Sequence, residues 1–135
     1  MGIIRFEGLD ELIVDLGGIE DLPVEGMLNA AADVVVAAQK RTAGTMLQGK
    51  YNKGAVVAAI RKGNITRKAG SASIRIEFPG QQHGTPIATI AFVNEFGKTN
   101  QPARPFIATA NEGCADQAEG AAVTAYDTWL RTKGL

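Results

Sequence analysis

The chain has one histidine, one cysteine and one tryptophan, and aromatic residues make up 6% of it. Each scarcity excludes something. A lone Cys114 forms no internal disulfide and fits a reducing cytoplasm. One cysteine and one histidine cannot build a zinc cluster. A Cys114–His83 nucleophile pair fails on placement. His83 sits in a Gly-rich loop, and Cys114 falls on the apolar stripe of a predicted helix, where a thiol acts as a small core residue. No G-x-S-x-G elbow supports a serine triad, and no GK[ST] follows the glycines at 113 and 120. Glu112 and Asp116 lie four apart on that same helix, the spacing of a solvated face rather than of an acid–base pair. The expectation is no enzyme, no metal and no cofactor. No apolar run approaches the roughly 20 residues that span a membrane. The start, Met1-Gly2-Ile3-Ile4-Arg5, lacks the basic end and apolar stretch of a signal peptide. Phe6 stands where a myristoylation motif needs Ser or Thr. No membrane association is expected.

What is present suits one domain spanning residues 1–135, with 45% hydrophobic residues and enough length for a core without staples. With 16 glycines, many alanines and few aromatics, that core should pack by close backbone approach. The net charge is zero, yet its distribution is blocky. Residues 1–33 hold eight acids, among them Asp10, Glu11 and Asp15, against Arg5 alone. Residues 34–76 hold nine bases, among them Lys50, Lys53, Arg61 and Lys62, and no acid. Three readings are open. The acidic face of one subunit meets the basic face of the next. The two blocks neutralise each other within one monomer. Or the basic segment 40–75 meets nucleic acid.

Periodicity predicts an α+β fold, two long helices packed on a small antiparallel sheet, with short additional helices. Ile3 to Phe6 reads as an edge strand. Residues 9–16 read as a short helix, with Leu9, Leu12, Ile13 and Leu16 on one side and Gly17-Gly18 as its stop. Pro23 opens the first long helix, residues 24–42, with Met27, Leu28, Ala31, Val34, Val35 and Ala38 as its stripe and Lys40 and Arg41 at its end. Residues 42–53, with Gly44, Gly49 and Asn52, read as a loop. Residues 53–62 read as a short helix, with Val56, Val57 and Ile60 inward. Residues 65–68 and 71–78 form antiparallel strands around a turn at 68–71, and Ile74, Ile76 and Phe78 alternate with Arg75 and Glu77. Residues 79–84 read as a flexible loop. Residues 85–93 are either a third strand or a strand passing into a helical turn. Residues 104–132 are the second long helix, with Ile107, Ala110, Cys114, Ala118, Ala121, Ala125 and Trp129 on its stripe.

The most specific signal is the order of residues 90–110. An apolar run, Ile90-Ala91-Phe92-Val93, leads to Glu95-Phe96-Gly97. A polar loop, residues 98–101, follows, and Pro102-Ala103-Arg104-Pro105-Phe106-Ile107 opens the last helix. Phe96 is expected to anchor its element in the core. Gly97 supplies a left-handed exit. Glu95 pairs with Arg104 or accepts hydrogen bonds from the loop's amides. Pro102 and Pro105 stiffen the approach, and Phe106 plugs the joint.

This order resembles the neck or tail-completion proteins of long-tailed phages, the lambda Z-like minor tail components. The resemblance implies a non-enzymatic virion protein of a tailed phage or prophage, made in the host cytoplasm and built into the neck of the tail. It implies a homo-oligomeric ring, often sixfold, between the head-connector and tail-tube proteins, with DNA passing through the lumen. Candidate interface residues are Lys50, Lys53, Arg61 and Lys62 on one side and Asp10, Glu11 and Asp15 on the other. A tail terminator ring is the rival within the same class of assembly. A nucleic-acid-binding protein using residues 40–75 is the rival from another class, although Tyr51 is the only aromatic residue there to stack on bases.

Overall fold

The computed structural model describes residues 3–7, 23–47, 54–68 and 71–134, the first stretch by its backbone alone. The elements in order are β1 (Ile3–Glu7), α1 (Val24–Met46), α2 (Ala55–Ala59), β2 (Arg61–Lys68), β3 (Ser71–Glu77), β4 (Gln81–Gln82), β5 (Thr85–Pro86), α3 (Ile87–Phe96) and α4 (Phe106–Thr132). The fold is α+β, with two long helices, α1 and α4, packed on each other. The predicted helix at 9–16 and the centre of the turn at 68–71 lie outside the described residues.

The principal sheet has the order β1-β3-β2 and is antiparallel throughout. β1 is an edge strand, as its position and length suggested. Ala72, Ile74, Ile76 and Phe78 point into the core, while Arg75 between them is exposed. That is the alternation expected of a strand with one wet face. β2 is the opposite edge. Its pairing with β3 shifts between Lys62 and Ile65, a bulge, and four of its eight residues are Arg or Lys. Bulges and charges of this kind discourage edge-to-edge pairing with another sheet.

α1 buries Leu28, Ala31, Ala32, Val35, Ala38 and Ala43, and α4 buries Phe106, Ile107, Ala110, Cys114, Ala118 and Ala122. Small side chains on both faces let the two helices approach closely. On α4 the buried line runs through Ala122, whereas the expected Ala121, Ala125 and Trp129 are half-buried. One polar pair interrupts this Ala-rich contact. Gln39 is fully buried, and its Nε2 donates to Oδ1 of Asn111 at 3.0 Å. Its own Oε1 is buried without a hydrogen-bond partner, a cost of about 1–3 kcal/mol. Cys114, three residues after Asn111 in α4, is buried as well, and burial pushes its thiol pKa up.

Several boundaries differ from the sequence reading. The short helix expected over 53–62 is Ala55–Ala59, and the strand expected over 65–68 begins at Arg61, because Arg61 and Lys62 pair with Glu77 and Ile76 of β3. α1 continues to Met46 instead of stopping at 42. Gly44 faces solvent, while Ala43 and Leu47 on either side are buried. Their burial outweighs the roughly 1 kcal/mol that a helical glycine costs relative to alanine. Lys40 and Arg41 therefore lie before the last turn, not in it. Residues 81–86, expected as a flexible loop and part of a strand, form a β4–β5 hairpin. Its two turn residues, His83 and Gly84, both have positive φ, 50° and 80°, as a two-residue primed turn requires. His83 is exposed at its tip. Residues 87–96 are helical, which resolves the strand-or-helix alternative left open over 85–93.

Candidate functional site

Residues 90–110 form one joint between α3 and α4, and its parts hold one another. The first amides of any α-helix lack intrahelical partners. In α4 each finds one within this segment. Pro105, at φ −76° and ψ 68°, makes an inverse γ-turn, and the Phe106 amide donates to Arg104 O at 2.7 Å. The Ile107 amide donates to Glu95 Oε1 at 2.6 Å, and the Ala108 amide to Oε2 at 3.3 Å. Thr109 then begins the regular ladder by donating to Pro105 O at 3.0 Å. Glu95 is thus the N-terminal cap of α4, supplied by the preceding helix, and its negative charge meets the positive end of the helix dipole. It is buried. Of the two partners expected for Glu95, Arg104 is not used. The amides that are used belong to the first turn of α4 and not to the loop.

Removing this cap has a calculable effect. Glu95→Ala leaves two amides without their acceptor and is expected to cost about 1.5–3 kcal/mol. Glu95→Gln keeps the shape but loses the charge and turns an NH2 group, which cannot accept, toward one of the two amides, for about 1–2 kcal/mol. Urea unfolding at neutral pH measures both. Equal midpoints for wild type and Glu95→Ala would remove the capping role.

Asn94 is the second buried polar residue of α3. Its Nδ2 donates to Ile90 O at 2.9 Å, its Oδ1 accepts from Gln101 Nε2 at 3.1 Å, and its backbone oxygen accepts from the Arg104 amide. Lys98 and Gln101 exchange two backbone hydrogen bonds of 2.9 Å, closing the polar loop as a tight turn. Gly97 has φ 76° and ψ 178°, a region that only glycine occupies readily. A Cβ there would lie 2.8 Å from the Ala103 nitrogen and 2.9 Å from Gln101 O. The predicted positive φ is present. The extended ψ serves to bring the 101–103 backbone against the helix end. Pro102 is exposed and Arg104 half-buried.

The two phenylalanines of the motif separate. Phe106 is fully buried, with its ring edge-on to Phe78 at 6.0 Å and 86°. Phe96, expected in the core, is 65% exposed and packs on Phe92, itself 52% exposed, at 4.8 Å. Helical geometry explains the correction. α3 turns Ile87, Ala91, Asn94 and Glu95 inward, which puts positions 92 and 96 on the outer side. Glu95, needed inside to cap α4, takes the place the sequence reading gave to Phe96. A Phe96 buried in the core would lose about 3–5 kcal/mol on truncation to alanine. The structure reduces the expected loss to within about 1 kcal/mol, since little apolar area leaves water there. A midpoint shift as large as that of a core truncation would return Phe96 to the interior.

The charged blocks meet inside the chain, at least in part. Lys62 reaches Asp33 at 2.8 Å, and Arg67 lies 3.9 Å from Glu25. Both links join β2 to α1. Glu25 and Asp33 are eight residues apart on one face of α1, about 12 Å, so strand and helix run in opposite directions there. Arg61 pairs with Glu77 at 3.5 Å. These are exposed pairs worth about 0–1 kcal/mol each. Two of the expected interface bases, Arg61 and Lys62, are therefore engaged within the chain. Lys50, Lys53, Asp10, Glu11 and Asp15 lie outside the described residues.

Among the described residues no three metal-binding side chains gather, and no helix is long and apolar enough to cross a membrane. Comparison with protein families, with curated proteins and with solved structures gives no match.

Proposed function

We propose that this chain is a structural virion protein of a tailed phage or prophage, a ring subunit that completes the tail and joins it to the head connector. The observation that carries the reading is the ordered segment 90–110. Glu95 caps α4, Asn94 holds the backbone at Arg104, Gly97 admits the chain at Ala103, and Phe106 fills the core behind them. Because each member depends on another, the chain carries the resemblance as one physical unit and not as scattered matches. Such a protein acts by ordered self-assembly and docking. A closed ring needs two unlike faces on each subunit. The exposed Phe92–Phe96 pair and the exposed charges without an ion-pair partner among the described residues are the available material for them.

Deleting the coding sequence from the phage or prophage that carries it tests the reading. Filled heads and finished but unjoined tails are expected, and purified protein added to that extract should restore joining. Tails of uncontrolled length would identify a terminator instead. Infectious particles formed without the protein would overturn both.

Charge matching between subunits has its own test. Reversing Lys50, Lys53, Arg61 and Lys62 to Glu should leave a folded subunit that assembles poorly. Because Arg61 and Lys62 face Glu77 and Asp33, part of any effect is intramolecular. The Lys50→Glu/Lys53→Glu double variant removes that ambiguity. It should retain its circular dichroism and lose joining, and added salt should mimic it, since screening acts within about 8–10 Å. Normal joining by a folded double variant would reject these two lysines as contacts.

A further inference from the structure

The register of β2 on β3 sorts the basic block by face, because directly opposed residues of an antiparallel pair lie on the same side. Lys62 is opposite Ile76 and Arg67 opposite Ala72, so both belong to the core side, where α1 supplies Asp33 and Glu25. The other side carries Arg61 opposite Glu77, Thr66 opposite Ser73, Lys68 opposite Ser71, and Arg75. Arg61 and Glu77 satisfy each other. Lys68 and Arg75 are exposed, and neither has an ion-pair partner among the described residues. On β2 and β3 this outer face is therefore three bases, one neutralised acid and three hydroxyls; on β1, the other neighbour of β3, the register sets Ile3 opposite Arg75, Arg5 opposite Ser73 and Glu7 opposite Ser71.

We propose that the outer face of β2 and β3 binds the phosphate backbone of double-stranded DNA without regard to sequence, through Lys68 and Arg75 with Thr66, Ser71 and Ser73 beside them. The proposal rests on the reading above that DNA passes through the assembled ring, and it names the surface that meets it. Two observations favour a polyanion over a protein partner. Stable protein interfaces have an apolar centre, and the central strand β3 carries only Ser71, Ser73, Arg75 and Glu77 on this face, with Ile3 at the far end of the edge strand β1. Cationic side chains interleaved with hydroxyls are the usual donors to phosphate oxygens. Arg75 lies four residues along β3 from Ser71, the partner of Lys68, which is about 13 Å. At that distance the two cations engage separate phosphates. Two contacts per subunit make a weak, salt-sensitive grip, and moving DNA requires one that is weak.

The test is fluorescence anisotropy of a mixed-sequence 30-base-pair duplex, labelled at one end, titrated with the full chain across a salt series. Wild type should bind at low salt, with log affinity falling against log salt at a slope near −2 per subunit engaged, about 0.9 per phosphate. Lys68→Glu/Arg75→Glu should weaken binding at least tenfold and flatten that slope. Lys98→Glu/Arg131→Glu, with the same change of net charge at exposed positions off the sheet and outside the 40–75 segment, should bind like wild type. Absence of wild-type binding at low salt would overturn the proposal. So would an equal loss in the control variant. Polyglutamate bound as tightly as the duplex would overturn it as well and assign the face to an acidic protein. The same variants in the head–tail joining extract separate the two readings. Salt-dependent DNA binding by a protein that joins nothing would sink the ring function and leave this surface standing.

Discussion

Phe106→Ala is expected to lower stability by about 3–5 kcal/mol, the usual cost of truncating a buried phenylalanine. The ring has no exposed surface, meets Phe78 edge-on at 6.0 Å, and belongs to the first residue of α4. Its loss would open a cavity where the sheet, α3 and α4 converge, beside the amides that Glu95 caps. A domain of ordinary stability has about 5–15 kcal/mol in total, so the variant should be close to unfolding at physiological temperature. For a chain of this size the thermal midpoint should fall by roughly 10–20 °C. Phe106→Leu should lose appreciably less, because it retains much of the volume. Denaturant unfolding monitored by Trp129 fluorescence and by circular dichroism gives the comparison. A Phe106→Ala midpoint within error of wild type would mean that the ring is not enclosed.

Gly97→Ala should be nearly as damaging, for a different reason. The φ of 76° with ψ near 178° costs a non-glycine residue about 1–3 kcal/mol. The added methyl would also sit 2.8 Å from the Ala103 nitrogen and 2.9 Å from Gln101 O, both backbone atoms that cannot swing aside. Relieving that overlap adds about 1–3 kcal/mol. The loop would have to lift from the end of α3, weakening the bond from Arg104 to Asn94 O and moving the helix start that Glu95 holds. Gly84→Ala, also at positive φ but with open space around its Cβ position, is the matched control and should lose less. Equal losses at the two sites would show that backbone conformation alone, not the approach of the 101–103 segment, sets the cost at Gly97.

The sequence was most legible where one residue period dominated. Ile74, Ile76 and Phe78 alternate cleanly with charged residues, and both long helices show their stripes, so the sheet face and the two helices could be read directly; the packing of α1 on α4, and the buried line through Ala122, could not. Residues 87–96 were ambiguous because the run is apolar on nearly every side. Such a run looks alike as a buried strand and as a helix, and only the helical choice sends Phe96 outward. The candidate site was legible as an order of residues but not as a set of bonds. Nothing local to Glu95 indicates that its acceptors serve amides twelve and thirteen residues later. The charge blocks were visible, but the sorting of Lys62 and Arg67 toward α1 depends on strand register, and the bulge at Lys62 sets that register.

The Gln39–Asn111 contact has a mechanical consequence. Where α1 and α4 meet through alanines, Ala31, Ala32 and Ala38 against Ala110, Ala118 and Ala122, small side chains alone set their axial position weakly. The amide pair acts as a detent between them. Slippage would break its 3.0 Å bond and leave the whole Gln39 amide buried without a partner, in place of its oxygen alone. Part of the stability that an apolar residue at position 39 would gain is thus exchanged for a fixed axial setting of α1 against α4. That setting carries through the α4 cap to the angle at which α3 presents its outer aromatic pair.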